Sequence, residues 1–221
     1  ICGARAALRR PVSELMIRAL AAVAMMVVAL MAAVVGGYYF ALLAAAAATA
    51  MFYEWMRIVR GWGFPWAAGG FLYALAPALS LLWIRDRAED GLALLLWVFI
   101  VTWATDIGAY FVGRAVGRRK LAPATSPGKT WAGLYGGIGA ATLFGAGWVL
   151  GVGLEPALIV LAPLFAFAAQ AGDLFESWMK RRAGIKDSGD WLPGHGGLLD
   201  RLDGLVLVAV LTLGAELAGL A

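Results

Sequence analysis

Seven segments of this chain are each apolar over about 20 residues, the length of helix that crosses a bilayer core of about 30 Å. They cover residues 15–35, 38–58, 64–84, 91–112, 131–152, 156–176 and 204–220. Lipid offers no hydrogen bonds to the backbone, so such segments satisfy their own N–H and C=O groups as helices. The expected fold is all-α, a polytopic transmembrane helix bundle of about seven spans. Composition agrees, with 62% hydrophobic and 14% charged residues, where a soluble domain carries about 45–50% and about 25%. The first two segments form one apolar stretch, and Gly36-Gly37 is the expected break because glycines permit a turn. A second span follows directly on the first, which argues for a retained span rather than a cleaved signal peptide. The chain begins with Ile1 rather than Met, so its natural start is expected to lie elsewhere or to be altered.

The basic residues orient these spans. With the amino terminus on the cytoplasmic side, every Lys and Arg except Arg85 and Arg87 falls on that side, the distribution that membrane insertion favours. The carboxyl terminus then lies outside. Outward connections are short, whereas the inward loops after the fourth and sixth segments are long and polar, and loops of that length commonly carry function. Residues 1–90 read as amino-terminal spans without a motif. Residues 91–221 read as a catalytic membrane domain with two long cytoplasmic loops.

Cys2 is the single cysteine and His195 the single histidine. A disulfide within the chain, a thiolate cluster and a His-rich zinc site are therefore excluded, and any metal has to be held mainly by oxygen. Carboxylates occur where a membrane disfavours them. Asp106 and Asp173 each lie about 10–12 Å below the cytoplasmic basic layer at 1.5 Å per residue. Asp173, Glu176, Ser177 and Lys180 share one helical face, as do Asp200 and Asp203. Any one of these acids is as readily explained by a snorkelling salt bridge. Three spans bringing acids to one level favour a shared site, and Mg²⁺ would relieve their mutual repulsion.

The stretch from Ser177 to Asp203 reads SWMKRRAGIKDSGDWLPGHGGLLDRLD. It resembles the signature of the phosphatidate cytidylyltransferases, with Ser177, Lys180, Arg181, Lys186, Asp187, Gly189, Pro193, His195, Gly196, Gly197, Asp200, Arg201 and Asp203 in register. Asp106-Ile107-Gly108-Ala109-Tyr110 is similar to the family's intramembrane Asp motif. Ser126-Pro127-Gly128-Lys129-Thr130-Trp131 is similar to its Ser-Pro-x-Lys-Thr-Trp loop. The chain departs from that pattern at Gly128, where a basic residue is common, and at Ala132, where an acid often stands. The resemblance covers residues from about Thr105 to Gly204.

The resemblance implies transfer of the cytidylyl group of CTP to phosphatidic acid, giving CDP-diacylglycerol and pyrophosphate in phospholipid biosynthesis. The nucleophile would be a phosphate anion, so the requirement is for metal and fixed cations rather than a side-chain nucleophile. Metal ligands are expected among Asp106, Asp173, Asp200 and Asp203, for one or two Mg²⁺ ions or with a monovalent cation beside them. Asp173, Lys180, Lys186, Asp200 and Arg201 are the expected catalytic residues. Ser126, Lys129, Thr130, Ser177, Arg181, Gly194, His195, Gly196 and Gly197 are expected to bind substrate, the glycines through backbone amides. The expected partners are CTP, phosphatidic acid and membrane lipids, with no nucleic acid and with a homodimer left open. The expected setting is a bacterial-type plasma (inner) membrane with the active site facing the cytoplasm.

A CTP-dependent polyprenol or lipid kinase and an ion-coupled transporter are the competing readings. The Ser177 to Asp203 pattern argues against the kinase. The absence of a detectable internal repeat and the one-sided polar groups argue against the transporter. Gly128-Lys129-Thr130 superficially resembles a P-loop, but Pro123 stands where the first glycine is required and no strand is expected before it. Gly133/Gly137 and Gly147/Gly151 read as small-residue pairs for close helix packing. Most Trp residues read as interfacial anchors, with Trp131 and Trp191 nearest the expected site.

Overall fold

Glycine sets the principal helix breaks. Gly36 (φ 68°) and Gly37 (φ 53°) divide the long first apolar stretch, in a backbone region that side chains with a Cβ avoid. The structure is a computed structural model that describes residues 10–189 and 196–221. Its helices are α1 (Arg10–Val35), α2 (Gly37–Ile58), α3 (Phe64–Arg85), α4 (Gly91–Val116), α5 (Trp131–Val152), α6 (Ala157–Arg182) and α7 (Leu199–Leu217). Two short strands, β1 (Lys120–Ala122) and β2 (Ser126–Thr130), lie between α4 and α5.

Five helices, α2 to α6, are long and apolar enough to cross a membrane by length and composition. The chain is thus built as a multi-pass membrane protein. α1 has a shorter apolar run, Leu20–Val35, and α7 spends its first turns on Asp200, Arg201 and Asp203. Two helices run further than hydropathy alone suggests. α4 continues to Val116 and α6 to Arg182, because backbone bonding persists after the apolar run ends. Both extensions put cations, Arg114 and Lys180 to Arg182, near carbonyl-rich helix ends that favour positive charge. α6 stops where Gly184 (φ 73°) turns the chain and the Ile185 amide returns to the Lys180 carbonyl at 3.0 Å, a glycine-terminated helix end.

α4 is the central helix. Leu94, Leu95, Trp97, Val98 and Val101 are fully buried among Leu158, Ala162, Ala166, Val208 and Ala209 of α6 and α7. α5 packs closely along α4 because small residues face each other. A Cβ on Gly108 would meet the Gly136 carbonyl at 2.7 Å, and one on Gly137 would meet that of Thr105 at 2.7 Å. Of the two expected glycine pairs, Gly133/Gly137 therefore serves this contact. Gly147 and Gly151 face open space. Three threonine hydroxyls inside the bundle are satisfied locally, Thr102 on the Val98 carbonyl, Thr105 on Val101 and Thr212 on Val208, which pairs these groups without help from lipid.

A second, smaller apolar cluster joins α2, α6 and α7 through Met51, Trp55, Ile58, Met179, Leu199 and Val206. Beside it, the guanidinium of Arg182 sits 4.9 Å from the Trp62 ring centroid and 5.5 Å from that of Trp178.

The segment after α4 departs from a simple loop. β1 and β2 pair antiparallel, Lys120 opposite Thr130 and Ala122 opposite Ser126. A strand thus does precede the Gly-Lys-Thr sequence, contrary to expectation. It is half of an antiparallel hairpin, and Lys129 lies within β2 itself, so the geometry remains unlike a phosphate loop between a parallel strand and a helix.

Candidate active site

α4, α6 and α7 and the hairpin converge at one end of the bundle, and each brings charge. Between them lies a cavity of about 890 Å³. Its lining includes the acids Asp106 of α4, Asp173 of α6, Asp187 of the following loop, and Asp200 and Asp203 of α7. The basic lining residues are Arg114, Lys120, Lys129, Lys180 and Arg201. Acids that the sequence placed at one level on three helices do share one cavity.

Lys129 crosses from β2 to α6. Its Nζ lies 2.7 Å from Asp173 Oδ2 and donates to Gln170 Oε1 at 3.0 Å. Gln170 in turn donates through Nε2 to Asp106 Oδ1 at 3.4 Å. A single amide side chain thus links the intramembrane Asp motif to the Lys of the hairpin. Ser177 does not line the cavity; its hydroxyl donates to Asp173 Oδ1 at 3.3 Å and orients that carboxylate from one turn further along α6. Thr130 lines the cavity and also caps α5, its Oγ1 accepting the Gly133 amide at 3.0 Å. The cap satisfies one of the unpaired amides at that helix start. Ser126 lines the cavity from the start of β2.

Lys180 is shared between α6 and α7. It pairs with Glu176 at 3.3 Å and donates to Asp200 Oδ1. The other oxygen of Asp200 accepts the amides of Ser188 at 3.0 Å and Gly197 at 2.9 Å. The Gly197 amide, expected to face a phosphate, is therefore occupied by a carboxylate. Gly196 (φ 81°) completes the tight turn against Asp200. Asp203 is nearly buried, and its Oδ1 accepts the Gly204 amide at 2.8 Å. Asp106, Asp173 and Asp203 lie within electrostatic reach of one another, and Lys129 and Arg201 act on Asp106 from the same cavity.

Like Ser177, Gly196 and Gly197, two further expected site residues stand outside the cavity lining. Lys186 is exposed on the loop after α6 and does not line the cavity. Arg181 is exposed as well. Its guanidinium donates to the carbonyls of Thr125 and Ile185, both at 3.3 Å, tying the hairpin turn to the α6 terminus. The helical twist explains this: Lys180 and Arg181 are adjacent, so their side chains diverge by about 100° around a helix of 3.6 residues per turn. Trp131 opens α5 partly exposed and outside the cavity lining. Gly194, His195, Pro193 and Trp191 lie outside the described residues.

Among the described residues no three His, Cys, Asp or Glu side chains form a ready-made metal cage. The acids do suit a metal that takes a few carboxylates and completes its shell with water and substrate phosphates, as Mg²⁺ does. Sequence reasoning missed Gln170 and Glu54. Gln170 stands one turn before Asp173 on the same α6 face, a position the acid stripe could have revealed. Glu54 lies within the second apolar segment, where an acid is itself a signal.

A bundle of membrane-length apolar helices thus carries, at one end, a cavity lined by both acids and cations. The chain matches the cytidylyltransferase family over residues 62–215, and it belongs to that family. It is 50% identical over 151 residues to the phosphatidate cytidylyltransferase of Brucella suis biovar 1 (strain 1330), covering 66% of this chain and 55% of that protein. It is 42% identical over 162 residues to the phosphatidate cytidylyltransferase of Pseudomonas aeruginosa, covering 71% of this chain and 60% of that protein. A third relative with the same name, from Staphylococcus saprophyticus, is 38% identical over 133 residues, 59% of this chain and 51% of its own length. The chain thus spans between half and two thirds of these relatives.

Proposed function

We propose that this protein transfers the cytidylyl group of CTP to phosphatidic acid, releasing pyrophosphate and forming CDP-diacylglycerol for phospholipid synthesis. The observation that carries this reading is the single cavity in which Lys129, Lys180 and Arg201 stand among Asp106, Asp173, Asp200 and Asp203. A phosphate oxygen of the lipid attacks the α-phosphorus of CTP, and the bond from that phosphorus to the bridging oxygen of the β-phosphate breaks. No side chain needs to act as nucleophile, so positioning and charge stabilisation supply the catalysis. Lys129 and Arg201 are suited to clamp the phosphates, Lys129 being preset by Asp173 and Gln170. Lys180 holds Asp200 in place by donating to its Oδ1. Mg²⁺ would draw its protein ligands from among Asp106, Asp173 and Asp203, with water and substrate phosphates completing its shell, and would supply neutralisation of phosphate charge.

The same reading includes seven membrane spans, with α1 and α7 completing the five, and an amino terminus on the cytoplasmic side. The cavity then opens to the cytoplasm of a bacterial inner membrane. Support comes from the basic residues gathered at the hairpin end and from the need to meet soluble CTP and a lipid head group together. The oligomeric state, a homodimer included, is left to measurement.

The test uses purified protein in detergent with phosphatidate, Mg²⁺, and CTP labelled at the α- or γ-phosphate. Label moving from the α position into lipid, with pyrophosphate released, is the expected result. Movement of γ label would replace the proposal with a CTP-dependent lipid kinase. Absence of any Mg²⁺-dependent turnover would return the transporter reading.

A further inference from the structure

α2 belongs to the part of the chain without a recognised motif, and Glu54 lies before the matched residues 62–215. Its carboxylate nonetheless reaches Ser188 and the start of α7 beside the candidate site. Glu54 is 0% exposed. Oε1 accepts the Leu198 amide at 2.9 Å, and Oε2 accepts the Leu199 amide at 2.8 Å and the Ser188 hydroxyl at 2.8 Å. Leu198 and Leu199 start α7, where amides lack partners within the helix and the dipole favours negative charge. Ser188 lies at the opposite stem of the α6–α7 loop.

Gly189 and Gly197 make room for this carboxylate. A Cβ on Gly189 would come 2.6 Å from Oε1, and a side chain on Gly197 would also collide with the carboxylate. Asp200 binds the same stems from the other side through the Ser188 and Gly197 amides. Two carboxylates from distant parts of the chain therefore hold the same two stems, and only that of Asp200 also lines the cavity.

We propose that Glu54 is a positioning residue: it anchors the first turn of α7 to α2 and so fixes Asp200, Arg201 and Asp203 against the cavity. This rests on the reading of the cavity as the reaction site. The role needs a carboxylate. Three donors converge on its two oxygens, whereas Gln offers one oxygen and turns an NH₂ group toward a donor. Asp is a methylene shorter and reaches part of the set, so Glu54→Asp should retain more function than Glu54→Gln.

The experiment compares wild-type protein, Glu54→Gln, Glu54→Asp and Ser188→Ala, with exposed Glu89→Gln as the control. Backbone hydrogen exchange is followed across residues 184–203, alongside kcat and KM for CTP with phosphatidate. Glu54→Gln should accelerate exchange in that segment while α4 and α5 stay protected. It should lower kcat about ten- to a hundredfold, the scale of one or two charge-assisted hydrogen bonds, with a smaller change in KM. Ser188→Ala should show the same pattern at smaller size, and it decides the matter if Glu54→Gln does not fold. Wild-type exchange in both variants, or equal loss of protection throughout the bundle, would overturn the proposal. If wild-type protein transfers no α label, the functional reading fails, while the exchange comparison still decides whether Glu54 positions α7.

Discussion

The two ends of the bundle use charged side chains in different ways. At the end remote from the hairpin, Arg85 donates to the Ala33 carbonyl at 2.6 Å and the Val34 carbonyl at 3.1 Å. It therefore closes the end of α1, where a Cβ on Gly36 would strike its guanidinium. Arg87 lies 2.8 Å from Asp90 and 3.5 Å from Glu216. These charges bind helix ends or one another. At the hairpin end, acids face acids as well as lysines, and the space between them stays open. Charges pair at both ends, but at the hairpin end the pairs surround a cavity, which retains capacity for a ligand.

The sharpest way to break this contrast is to remove Lys180. Lys180→Met leaves Glu176 and Asp200 without their shared cation. It should cost about 3–5 kcal/mol of stability, as for other broken buried pairs, and abolish label transfer. Thermal unfolding in detergent and the α-label assay check both parts. Asp173→Asn tests the cavity with less structural damage, and kcat should fall about a hundredfold or more while the unfolding midpoint moves little. Gln170→Leu cuts the link between Asp106 and Lys129, with an expected loss of about tenfold in kcat. Arg85→Ala probes the other end: about 1 kcal/mol of stability should be lost with the α1 contacts while kcat stays within about twofold. Lys186→Ala should be the mildest change, because its side chain stands outside the cavity. A large loss of activity there would mean that the loop closes over bound substrate.

Much of the helical frame was legible because lipid enforces a simple rule. Trp131 to Val152 was read from hydropathy alone and is α5 as expected. The break at Gly36 followed from the same reasoning. The ends of α4 and α6 did not, because hydropathy marks where apolar residues stop and helices continue until the backbone is turned. The hairpin was invisible for a related reason: Ser126 to Thr130 contains Pro and Gly and no alternation, and its pairing depends on Lys120 and Ala122 across a turn. In the site, Asp106 and Asp173 were legible as acids at one depth. Lys186 and Arg181 were grouped with Lys180 by their order along the chain, which carries no information about which way each side chain turns.

The sequence by itself determined a bundle of membrane-length helices, the position of the acids along them and the family signature, because these follow from hydropathy and residue order. Only the tertiary structure decided which charges meet. Lys129 with Asp173, Lys180 with Asp200, and Glu54 with the start of α7 join residues far apart in the chain, and such partners are set by how helices rotate and pack. A carboxylate in an apolar span requires donors, but the requirement does not say which ones; the fold supplies them.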